Sequence, residues 1–233
     1  MAEPPMSPPN LPTGLVPDIH LHGGLLSAGT RRDLADLNLQ FLELSLAPEL
    51  GSDPRFAWSD PVRSGLVRTD RSTRDRMAAC PFSLFEILLP AVGTTPGSAR
   101  SRVEDGAAGA SLGEPWNGRC LAFVQFALFV AWRLAETVPL ATRLALGLSP
   151  AAELRLNEAC PSELAQLAAC PGAVRPRWPT HGRFWPMLIA AARADSASSL
   201  RQAHCFGLCL LLSDVSPKGG AGCASPPRHR PPR

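Results

Sequence analysis

The sequence predicts an all-α protein, a short-helix bundle of two helical units set among Pro/Gly-rich segments. Three observations carry that expectation. Leu34, Leu37, Phe41 and Leu44 recur at helical spacing, and so do Leu121, Val124, Leu128 and Trp132. Clusters of Pro and Gly cut the chain into runs of helical length. Finally, Ala79-Cys80-Pro81-x-x-Leu84-x-x-Ile87 is echoed by Ala159-Cys160-Pro161-x-x-Leu164-x-x-Leu167. Each copy follows an apolar stretch carrying Gln-Phe, at Gln40-Phe41 and Gln125-Phe126, which marks a tandem duplication with a shorter first copy.

Residues 1–27 form a Pro/Gly-rich leader expected to be disordered. The first unit spans 28–91. Its helix over 30–47 sets the leucine stripe opposite Asp33, Asp36 and Glu43, and ends at Pro48 and Gly51-Ser52-Asp53-Pro54. From Ser59 to Arg76 the chain is polar and arginine-rich, with a short helix after Asp70. A further helix is expected to open at Cys80-Pro81 and run through Leu89 to Pro90, since proline suits the first helical position. Residues 92–117, rich in Gly, Ala, Ser and Thr, read as a linker.

The second unit spans 118–215. A strong helix runs from Cys120 to Glu136, and Pro139 leads into another over Leu140–Leu148. Ser149 with Pro150 signals a helix start, and that helix runs to Glu158. Cys160-Pro161 opens the next, which is stopped by Pro171-Gly172. Residues 173–182 read as a Pro-punctuated loop or extended segment. Helices are expected over Phe184–Ala194, with Pro186 near the first turn, and over Ala197–Leu212, capped by Asp195 or Ser196. The tail, 216–233, is expected to be unstructured.

Composition narrows the function classes. Twenty-two arginines against one lysine, Lys218, and no tyrosine fit a GC-rich coding bias better than a recognition device. A net charge of +3 lacks the clustered basic face of a nucleic-acid binder. Seven cysteines with no CxxC pair suggest reduced thiols in a cytoplasm rather than a disulfide framework. The start, Met1-Ala2-Glu3-Pro4-Pro5, has no apolar signal region, so secretion is not expected. The apolar run Cys120–Ala131 falls short of the roughly 20 residues of a membrane span and reads as a buried helix.

No GxSxG, phosphate-binding Gly loop, HExxH or suggestive carboxylate pair is present, so an enzyme is not expected. Among Arg63, Arg68, Arg71, Arg74 and Arg76, interleaved with Asp60, Asp70 and Asp75, the solvated-loop reading outweighs a phosphate-contacting strip. Arg175, Arg177 and Arg183 with Trp178 and Trp185 make a second basic-aromatic stretch suited to a protein or nucleic-acid partner. His20-x-His22 is read as a chance pair in the leader. His204, Cys205 and Cys209, with Cys170 or His181, have the residue types of a zinc site, but their apolar setting favours core packing. The helices over 150–158 and 161–169 have the lengths of a helix-turn-helix. The second carries Glu163 and no Lys or Arg, so helix-on-helix packing is the better account. No cofactor or metal is expected.

Five stretches of the second unit together resemble the FlhD family, the helical subunit of the bacterial flagellar master transcription regulator. They are Phe123–Phe129, Arg143-Leu144-Ala145-Leu146-Gly147-Leu148, Ser162–Ala168, the Arg175/Arg177/Trp178 segment and Leu200-Arg201-Gln202-Ala203-His204. The first unit resembles the family more weakly, through Leu37–Leu42 and Met77–Ile87. The resemblance implies an all-α protein that dimerises through intertwined helices and joins a zinc-containing partner, FlhC, to activate flagellar operons. The partner carries much of the DNA contact. Family members as a rule have one such unit, so a fused pair would mimic a dimer within one chain. The expected function is therefore a cytoplasmic transcriptional regulator subunit acting with an FlhC-type partner, self-associating and reaching DNA through the complex. The alternatives are a helical adaptor or antagonist without DNA contact, and a thiol- or metal-responsive sensor.

Overall fold

Most of the described helices begin at a capping side chain or with a proline in the first turn. The computed structural model describes residues 26–47, 56, 58–89, 118–170 and 172–215. The leader through residue 25 with His20 and His22, the linker 92–117 and the tail 216–233 lie outside the described residues. Helix α1, Ala28–Ser45, starts at Ser27, whose Oγ accepts the Thr30 N–H at 3.0 Å. Helix α2, Asp60–Val67, which the sequence reading missed, opens with Pro61 in its first turn. Helix α3, Arg71–Ala78, is capped by Asp70, which accepts the Thr73 N–H at 2.7 Å. After strand β1, Phe85–Ile87, come α4, Gly118–Thr137, and α5, Pro139–Leu146, which ends on Gly147 at φ 63°. Ser149 caps α6, Pro150–Glu158. Glu163 accepts the Cys160 N–H at 2.8 Å to start α7, Pro161–Ala169. Strand β2, Val174–Pro176, precedes α8, Phe184–Arg193, and α9, Ala197–Val215, where Ser196 Oγ accepts the Ser199 N–H. The protein is all-α, with one two-stranded sheet among the described residues.

The expected helix from Cys80-Pro81 to Leu89 does not form. The chain instead turns and becomes β1. The cause is tertiary. Fully buried Asn38 on α1 donates from Nδ2 to the carbonyls of Ala78 and Phe82, at 3.2 and 2.9 Å, and accepts the Leu84 N–H at 2.8 Å. Ser83 N–H reaches the Ala145 carbonyl at 2.7 Å. With its backbone groups satisfied from outside, the segment has no need of a local helix. Phe82, Leu84 and Phe85 are buried in this conformation.

That finding also corrects the register of the duplication. Cys160-Pro161 opens a helix, whereas Cys80-Pro81 follows one, so the positional counterpart of Cys80 is Cys170. Ala78-Ala79-Cys80 leaves α3 for β1, as Ala168-Ala169-Cys170 leaves α7 for β2. The strands pair antiparallel, with Phe85 opposite Pro176, Glu86 opposite Arg175 and Ile87 opposite Val174. The fifth residue past one cysteine thus meets the sixth past the other, and the reverse holds at the next rung. A local two-fold axis produces such self-complementary pairing, here within one chain.

The expected units 28–91 and 118–215 share a continuous hydrophobic core. Helix α1 packs on α3 and α4, and α4 in turn packs on α5, α6 and α7. Phe41 of α1, Phe85 of β1 and Phe123 of α4 form an aromatic knot, with centroids 5.3 to 6.1 Å apart. Helix α8 leaves the second unit to pack on α2 and α3 of the first. Helix α9 packs on α8 and α5, at a distance set by Gly207. A Cβ there would come within 2.2 Å of the Phe82 ring.

Candidate functional site

The residues singled out from the sequence fall into three places. Arg175, Arg177 and Trp178 meet at an open pocket of about 560 Å³ at the strand pair, bordered also by Glu86, Gly147 and Asp214. Arg183 stays exposed and sits over the Phe206 ring of α9 at 5.8 Å. Arg68, Arg71 and Arg74 lie on α2 and α3 or at the ends of those helices, and none of them lines the pocket.

Two expected surface anchors are internal. Trp185 is fully buried, edge-on to Trp58 at 4.6 Å, and its Nε1 donates to the Arg177 carbonyl at 2.9 Å. Arg177 is only 3% exposed. Its Nε donates to the Ser83 carbonyl at 3.0 Å. Its Nη2 donates to Ser83 Oγ at 3.0 Å and to the carbonyls of Phe85 at 3.0 Å and Leu146 at 2.7 Å. One guanidinium thereby ties β1, the turn before it and the end of α5 together. Burial leaves neither Arg177 nor Trp185 a surface with which to anchor a protein partner. Burial pulls the Arg177 pKa down to about 10, against the opposing pull of the Glu86 and Asp214 charges.

The remaining arginines are largely engaged within the chain. Arg175 Nε donates to Glu86 Oε2 at 2.7 Å across the strand pair. Arg71 pairs with both Glu43 and Asp75. Arg68 Nε returns to the Ser64 carbonyl at 2.9 Å. The outer face of α7 presents Ser162, Glu163 and Gln166. Neither place offers the concentrated free positive charge that phosphate contact needs. Cys205 and Cys209 are exposed rather than packed in the core. Among the described residues no group of three His, Cys, Asp or Glu side chains is placed to hold a metal.

Sequence reasoning missed an exposed aromatic surface on α4. Leu128, Ala131, Leu134 and Ala135 of α4 face inward, while Phe126 and Phe129 stay 40% and 47% exposed. Phe129 and Trp132 lie 5.9 Å apart and flank a groove of about 270 Å³ against Pro161, Leu164 and Ala165 of α7. Helix α4 is apolar nearly all round, which is the signal that could have marked a second apolar face. By length and composition it could also cross a membrane, but half of its most apolar window is buried in this fold. Comparison of the chain with protein-family models, with curated proteins and with solved structures found no match.

Proposed function

We propose that the chain is a subunit of a transcription-regulating assembly of the FlhD kind. It docks an FlhC-type protein partner on the α4–α7 ridge and reaches DNA only through that complex, at flagellar or related operons. The observation that carries this reading is the exposure of Phe126 and Phe129 beside the apolar groove at Trp132 and Leu164. Burying what remains exposed of one such ring against a partner is worth about 1 kcal/mol, and aromatic anchors dominate protein interfaces. The partner's matching surface is an apolar helix face. A second reading, a helical adaptor or antagonist without DNA contact, draws support from the pairing of Arg71 with Glu43 and Asp75 and of Arg175 with Glu86.

The test is a gel shift on a flagellar promoter fragment with the chain alone, the FlhC-type partner alone and both together. The proposal expects the combined species to give the strongest shift and the chain alone to give none at moderate salt. Phe126→Glu with Phe129→Glu should abolish the cooperation while leaving the melting temperature within a few degrees. A shift by the chain alone would refute the partner-dependent reading, and complex formation without any shift would favour the adaptor. Light scattering on the same samples separates partner docking from self-association on this ridge.

A further inference from the structure

We propose that the pocket at the strand pair binds a small organic monocarboxylate, held by the Arg177 guanidinium. This proposal is independent of the partner surface on α4 and α7. The four side-chain hydrogen bonds of Arg177 leave from Nε and Nη2 and end on three carbonyls and one hydroxyl, all of them neutral. No carboxylate among the described residues lies within ion-pair distance of it, and Nη1 has no acceptor among them. Glu86 and Asp214 act on it only at a distance, and a buried guanidinium with one nitrogen unbonded and no carboxylate in contact is costly. Here the missing partner would be a ligand.

The walls are arranged to leave that nitrogen accessible. Gly147, beside it, lines the same pocket, and a Cβ there would stand 2.4 Å from Nη1. The left-handed backbone at Gly147 (φ 63°) together with this close approach requires glycine. Trp178 also lies in the left-handed region, at φ 49°, where a bulky side chain is an outlier. Its indole is fixed there by an Nε1 hydrogen bond to Asp214 Oδ2 at 2.7 Å and by an edge contact with Phe184. Such strain persists only where the surroundings enforce it, and it clusters at ligand sites. The result is an indole wall with its ring centre 5.5 Å from the guanidinium carbon.

The lining also selects the class of ligand. Leu88 and Pro179 offer apolar surface for a carbon body. Glu86 and Asp214 stand at the border and repel a multiply charged anion such as phosphate. A volume of about 560 Å³ lies within the usual range of small-molecule sites. The charges of Arg175, Arg177, Glu86 and Asp214 in the lining cancel, so one donor nitrogen there suits a singly charged carboxylate better than a phosphate.

The experiment titrates the full-length chain with benzoate, hexanoate and inorganic phosphate by calorimetry, with thermal unfolding in parallel. Benzoate or hexanoate should bind saturably at one site per chain and raise the melting temperature, and phosphate should do neither. Leu88 is exposed at the pocket edge, so Leu88→Glu should fold as the parent does. It should weaken carboxylate binding at least tenfold. Failure of both carboxylates to bind would overturn the proposal. Undiminished binding by Leu88→Glu, or phosphate binding as tight as benzoate, would overturn it equally.

Discussion

Glu86 and Arg175 face each other across the antiparallel pair β1–β2, joined by a 2.7 Å hydrogen bond between residues 89 apart in sequence. They stand where residues 28–89 and 118–215 meet in the sheet. Because Arg175 is more than half exposed, the pair itself is worth only about 0.2–1 kcal/mol. Its value is in register. Opposite charges fit this rung, and two like charges would not.

A charge swap tests that register. Glu86→Arg should destabilise the chain by about 1 kcal/mol, since like charges then face each other on one rung. Adding Arg175→Glu should restore most of the loss. Urea unfolding of the two single variants and the double variant measures the coupling, and additivity would show that the pair does not form.

Replacing Arg177 should be among the most damaging single changes. Arg177→Met leaves the carbonyls of Ser83 and Leu146 without their donor, while that of Phe85 keeps the Ser83 hydroxyl, at about 1–3 kcal/mol for each group left buried and unpaired. Relief of the buried charge offsets part of this, for a net loss of about 3 kcal/mol. Arg177→Lys should rescue little, because an ammonium lacks the planar fork that reaches three elements. A fall in the urea midpoint with an unchanged m-value is the expected signature.

Gly207→Ala should loosen α9. The added methyl would press on Phe82 and Phe184, at 2.2 and 2.8 Å, and overpacking of this kind costs about 1–3 kcal/mol. Hydrogen exchange should accelerate in α9 before it does in α4. Uniform acceleration would mean that α9 is no weaker than the rest.

Stability should fall on mild acidification. Burial holds the His204 imidazole below its ordinary value, and its Nε2 has no acceptor among the described residues. The unfolded chain therefore takes up a proton first as pH drops. The contribution of His204 is complete above about 6.5 and is lost as pH falls from there toward the depressed folded value. His204→Gln should flatten the melting temperature between pH 6.5 and 5. An unchanged slope would place the titration elsewhere.

Much of the helical plan was legible because it is local. Ser27, Asp70, Ser149 and Ser196 each cap a helix through a short-range bond that residue type alone suggests. Apolar spacing placed α1 and α4 in the same way. The strands were not legible, since each has three residues and its partner lies nearly 90 residues away. The Cys80-Pro81 segment looks helical until Asn38, more than 40 residues earlier, takes up its backbone groups. Arg177 and Trp185 misled for a related reason. Arginine and tryptophan are usual interface anchors, and only the fold reveals that the interface here is internal. Phe126 and Phe129 misled in the opposite sense, since an apolar helix does not announce which of its faces is left uncovered.

Disulfide trapping at the rung between the copies tests the central claim, that the two helical units pair inside one chain. With Glu86→Cys and Arg175→Cys together, the opposed Cα atoms should lie about 5.5 Å apart, within disulfide reach. Mild oxidation at low protein concentration, followed by peptide mass spectrometry, should give a 86–175 linkage in a species of single-chain mass. The same linkage confined to species of twice that mass, or its absence beside otherwise native folding, would contradict the account.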